Sequence, residues 1–135
     1  MWTNQGYVGF GLVPDDAPTK MVQLRGHYCG KTSSEAFFDN FYSLGNGAMF
    51  YPGDINGVTS LDNIFNDGWA ICVFKRTVSV ANGAENLLYD LTQTGLDSVI
   101  AVGPLSGQRP GYHGSQKDYY SDVDYQSNND YKESF

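Results

Sequence analysis

A chain of 135 residues with 41% hydrophobic and 15% aromatic content is long enough to bury one core and too short for several domains. Its net charge of −7 repels phosphate backbones and anionic lipid surfaces, which argues against a nucleic-acid binder or a membrane-surface protein. No apolar run approaches the roughly 20 residues of a spanning helix, while 16 glycines, ten tyrosines and eight phenylalanines favour short strands and turns over long helices.

The opening Met1-Trp2-Thr3-Asn4-Gln5-Gly6 has neither the basic start nor the apolar stretch of a secretory signal, so the chain reads as intracellular, already processed, or a piece of something longer. Tyr7 to Leu12 then alternates bulky Val8, Phe10 and Leu12 with Tyr7, Gly9 and Gly11, which predicts a strand with one nearly bare face. The loop Val13 to Lys20 holds two prolines and delivers Met21, after which Val22 to Arg25 alternates as a second strand. Gly26 and Gly30 predict a turn around His27-Tyr28-Cys29.

Ala36 to Tyr42 reads as a third strand, and the Gly-, Pro- and Asn/Asp-rich run Ser43 to Val58 as loop or a very short edge strand. Asn66-Asp67-Gly68 is a hairpin signal leading into Trp69 to Val78, the strongest strand pattern in the chain. Ala84 to Leu91 has leucines at helical spacing, enough for one or two turns. Leu96 to Val102 is the last clear strand, and it runs into a Gly/Pro-rich loop, Gly103 to Gly114, that presents His113, one of only two histidines. From 116 to 135 acids and tyrosines replace aliphatic residues, so residues 1–115 are expected to form the domain and 116–135 a tail, linker or segment docking on another chain.

Cys29 and Cys72, 43 positions apart and in no CxxC pair, are either two buried thiols or one disulfide joining distant strands; a zinc site is not indicated. There is no Ser-His-Asp or Cys-His arrangement, and Asp15-Asp16 in a proline loop is turn chemistry, so an autonomous enzyme is not expected.

The ordered pieces Tyr7 to Gly11, Lys20-Met21, Phe38-Asp39, Pro52-Gly53-Asp54, Phe74-Lys75-Arg76 and Ala101 to His113 resemble the DOMON domain family, closest to its b-type haem-binding cytochrome members. The likeness covers roughly residues 6 to 115, and it rests on order and spacing rather than on one motif. It implies an all-β fold, an immunoglobulin-like β-sandwich of two antiparallel sheets. Family members carry further strands before the Gly-rich one, so the N-terminal strands are expected to be truncated, supplied by a partner, or replaced by a reworked fold. The resemblance further implies a haem b held by Met21 and His113, a six-coordinate, electron-carrying iron. Gly9, Phe10, Gly11 and Tyr112 would line its pocket, and Lys20 and Arg109 would meet its propionates, with His27 and Met49 as the fallback ligands. The implied setting is extracellular or lumenal, and the implied partners are a redox protein or a small reductant, such as a flavin dehydrogenase, ascorbate or a membrane b-type cytochrome. The alternative reading is a haem-free DOMON-like binding or assembly module at the cell surface, recognising carbohydrate or protein.

Overall fold

A computed structural model describes residues 5–18, 23–45, 48–66, 69–80, 88–92, 95–111 and 117–120. The described chain is all β, as expected, with antiparallel pairing throughout. Its strands are β1 (Gly6–Pro14), β2 (Leu24–Lys31), β3 (Ala36–Gly45), β4 (Ala48–Phe50), β5 (Val58–Asn66), β6 (Trp69–Arg76), β7 (Leu96–Gly103), β8 (Leu105–Ser106), β9 (Arg109–Pro110) and β10 (Lys117–Tyr120). Six of them form one sheet in the order β10-β7-β1-β2-β3-β4, while β5 with β6 and β8 with β9 form separate hairpins.

β1 is the spine of that sheet, paired with β2 on one side and β7 on the other. Because side chains alternate along a strand, the register divides them between two faces. Tyr7, Gly9, Gly11 and Val13 share one face with Leu24 and Tyr28 of β2, Phe37 and Phe41 of β3, and Val99 and Ala101 of β7. The other face carries Val8, Phe10 and Leu12 with His27, Cys29, Phe38, Asn40, Leu96 and Ile100.

Both faces are covered, which is why the central strands contain so many buried residues. On the first, Tyr7, Val13, Leu24, Tyr28, Phe41 and Val99 form the main core, against which Ala17, Met49, Tyr51 and Leu105 pack. On the second, Leu12, Leu96 and Tyr89 form a smaller cluster beside Phe10 and Leu91. The β5–β6 hairpin lies over this second face: Cys72 of β6 is disulfide-bonded to Cys29 of β2, and the Phe74 ring packs on His27 and Phe38. The second layer is thus a two-stranded hairpin rather than a sheet comparable to the first.

Several expectations change. Gly26 and Gly30 lie inside β2 rather than at a turn. A Cβ on Gly26 would stand 2.1 Å from the Phe10 carbonyl oxygen, so the glycine is there to let two backbones approach. Val58–Asn66 is a full strand, although its sequence lacks the alternation that would announce it. Asn66 pairs with Trp69 as the hairpin signal requires, the two intervening residues lying outside the described ones. Of the helical expectation over Ala84 to Leu91, residues 84–87 also lie outside the described ones, and the described half, Leu88 to Leu91, is not helical. Lys117–Tyr120, within the stretch expected as a tail, adds the edge strand beside β7.

Candidate functional site

The face bearing Gly9 and Gly11 is the natural place to assemble the expected site, and it is filled by the chain's own aromatics. The Tyr28 ring stands at the centre, edge-on to Tyr7, Phe37 and Tyr51 at centroid distances of 6.3, 5.8 and 6.0 Å, and tilted against Phe41 at 6.2 Å. Such edge-to-face packing sets the positive rim of one ring against the negative face of the next. A Cβ on Gly9 would meet Tyr28 Cβ and the Tyr7 ring at 3.6 Å, an ordinary contact, whereas one on Gly11 would run into Leu24 Cδ1 at 2.7 Å. Phe10 points the opposite way and packs with the Leu12 cluster. Gly9 and Gly11 therefore sit over one cluster and Phe10 over the other.

Two tyrosine hydroxyls tie the Gly/Pro-rich loop down onto this face. Tyr28 donates to the Gln108 carbonyl at 2.7 Å, and Tyr7 to the Gly111 carbonyl at 3.2 Å. Burial, reinforced by Tyr51, pushes the Tyr7 hydroxyl up to about 12. Burial first, then Asp39 and Tyr51, raise Tyr28 as well, with Arg109 opposing. Both hydroxyls therefore stay protonated, as donors must, across the neutral range. Within the loop, Gly107 turns β8 into β9 at a φ of 65°, a left-handed conformation that glycine adopts without strain. The Arg109 guanidinium lies over the Tyr51 ring, 4.8 Å from its centroid, so this cation rests on the aromatic cluster.

Lys20, Met21, Tyr112 and His113 lie outside the described residues. Their neighbours are described, and they lie against one face. On the Met21 side, Ala17 and Leu24 pack on the Tyr7–Tyr28 core; on the His113 side, Leu105 packs on it and Gln108 and Gly111 are hydrogen-bonded to it. Arg25 is level with Leu12, whereas Lys117 is opposite Ala101, itself level with Gly9. Arg25 and Lys117, in the strands that follow the two segments, are thus offset by about 10 Å along β1 and about 14 Å across three strand spacings. The described residues on either side of the two segments meet the same aromatic cluster. They leave no recess above Gly9 or Gly11, where the tyrosine and leucine side chains already lie.

The fallback ligands have other partners. His27 is 3% exposed on the opposite face, with its Nδ1 2.6 Å from Asn40 Oδ1. Met49 packs on the main core. Among the described residues no cluster of three or more His, Cys, Asp or Glu side chains is arranged to hold a metal ion. Cys29 and Cys72, left open as thiols or a disulfide, are bonded to each other.

Sequence reasoning passed over Tyr51 and Tyr28, which knit this face together, and Asn40, which holds His27 on the opposite one. The two glycines that bracket Tyr28 mimic a turn, and nothing local in the sequence announces that residue 51 will reach residue 28. No family model, no curated protein and no solved structure matches the chain.

Proposed function

We propose that this chain is an electron-carrying domain that holds a b-type haem between Met21 and His113. The observation that supports the reading is the shared anchorage just described: the residues flanking both segments pack on, or hydrogen-bond to, one aromatic core. The donor set suits the role, since an imidazole nitrogen and a thioether sulfur saturate iron and favour one-electron exchange over oxygen chemistry. The chain's own residues bind and orient. Tyr7 and Tyr28 fix the loop that leads to His113, the cluster around Tyr28 would exclude water from the bound group, and Lys20 and Arg109 would offer cations to its carboxylates. The Cys29–Cys72 disulfide supports an extracellular or lumenal setting, where such bonds persist. There, a redox protein or a small reductant would be the partner.

The test is the visible spectrum of the chain incubated with haem, oxidised and then reduced with dithionite, beside Met21→Ala and His113→Ala. Sharp, split reduced bands that both variants lose are the expected result. A folded chain that produces no Soret shift on adding haem sinks the proposal.

A second reading, a haem-free assembly module, is favoured by a separate observation. On the side of the β5–β6 hairpin turned away from the sheet, Trp69 is 57% exposed, and Ile64, Ile71 and Val73 share its face in the register, with Asp62 opposite Val73; Leu61, at the bulge, is equally exposed. Exposed apolar side chains grouped in this way, rimmed by Asp62, Asn66 and Lys75, are characteristic of protein contact more than of carbohydrate binding.

A further inference from the structure

His27 stands where the hairpin meets the sheet, and the mechanism proposed above makes no use of it. The Phe74 ring of β6 lies 4.9 Å from its imidazole and the Phe38 ring of β3 6.0 Å, the latter nearly parallel. The Asn40 side-chain amide donates to the Gly53 carbonyl at 2.7 Å, which leaves Asn40 Oδ1 turned to His27 as an acceptor. His27 therefore donates through Nδ1–H and is held as the neutral Nδ1-protonated tautomer. Among the described residues the charged groups on this side are Arg76 from β6, Arg25 on its own strand, whose guanidinium lies over the Tyr89 ring, and Asp90 from the 88–92 segment, a carboxylate that interacts with Arg76. Asp39 of β3 faces the opposite way, and from β1 the cross-strand neighbour is Phe10. A second proton on the ring would place a buried imidazolium between two phenylalanines and near Arg76.

We propose that His27 is an acid-sensitive latch: neutral, it seats the β5–β6 hairpin on the sheet, and protonated, it releases the hairpin while the Cys29–Cys72 bond keeps the two tethered. Burial is the main cause that lowers its pKa from 6.5 to about 4, with Arg76 adding to the effect and the Asn40 hydrogen bond opposing it. The seated form thus binds fewer protons than the released form between those two values, so seating is fully favoured above pH 6.5 and weakens as the pH falls toward 4. With the ordinary value restored on release, the opening equilibrium rises about thirtyfold from pH 8 to pH 5.

The experiment is an NMR titration of the disulfide-intact chain, following the imidazole Cε1–H of His27 and amide exchange along β6, β1 and β7, beside His27→Gln. The glutamine keeps a neutral donor for Asn40. The expected result is a His27 midpoint well below 6, β6 amides losing protection with it while β1 and β7 keep theirs, and no such loss in the glutamine variant. Release of hairpin and sheet together overturns the proposal, as does a midpoint near 6.5, or the same acid release in His27→Gln. Should the variant fail to fold, the coincidence of the His27 titration with β6 opening in the unaltered chain decides the matter.

Discussion

Gly26 and Gly9 have the same composition and opposite tolerances. Gly26 faces the Phe10 carbonyl across β1, and a methyl group at 2.1 Å from that oxygen can be accommodated only by moving backbone. Gly26→Ala is therefore expected to destabilise the fold by about 3 kcal/mol, the upper end of overpacking costs. Gly9→Ala puts its methyl at 3.6 Å from Tyr28 and Tyr7, and is expected to change stability by less than about 1 kcal/mol. Urea denaturation of the two variants checks the contrast; equal losses would mean that the close approach of β1 to β2 is not what Gly26 serves. In the sequence both glycines look alike, because a glycine records that a side chain is absent and not what lies opposite. That is also why Gly26 and Gly30 read as turn residues: local propensity sees the missing side chain, and only the neighbouring strand explains it.

Among the elements, the β5–β6 hairpin depends most on something outside itself. A two-stranded hairpin is marginal alone in water, and this one is held by the Phe74 ring against His27 and Phe38 and by the Cys29–Cys72 bond. Closing a loop between residues 43 apart restricts the unfolded chain by an amount worth about 4 kcal/mol in the chain-entropy account. The double variant Cys29→Ala, Cys72→Ala is expected to lose most of that in denaturation. Amide exchange at neutral pH should then show β6 opening before β1 and β7; uniform loss of protection would show that the bond braces the whole molecule. β1, β3, β6 and β7 were legible because each has a strong apolar or alternating run. β5 was not, because Ser60, Leu61, Asp62 and Asn63 break the alternation where a bulge shifts the register, and pairing with β6 supplies what propensity lacks.

At the scale of the molecule, one sheet has both faces covered, but by unlike things. The Tyr7–Tyr28 face is closed by the β8–β9 loop and Tyr51, while the other is closed by the hairpin, whose outward side exposes Trp69, Ile64, Ile71 and Val73. A chain of net charge −7 is protected from non-specific clustering by its own repulsion, so apolar side chains on that outer side are expected to act locally. Replacing Trp69 and Ile71 by serine should leave stability within about 1 kcal/mol, since both are largely exposed, while reducing binding of an apolar dye and any concentration-dependent association seen by sedimentation. A large loss of stability instead would show that the hairpin needs these residues for its own integrity. Either result is independent of the haem spectrum.

What the amino-acid order settled by itself is the class of fold and its framework: strands of alternating residues, Gly- and Pro-rich connections, an aromatic-rich composition that must be buried, and an acidic surface. These are properties of near neighbours in the chain, so near neighbours reveal them. Which face each side chain occupies, the pairing of Cys29 with Cys72, the sealing of the glycine-bare face by Tyr28 and Leu24, and the burial of His27 beneath Phe74 were decided by tertiary structure alone. Each depends on strand register and on contacts between residues tens of positions apart, and a one-residue shift in register would reverse every one of them.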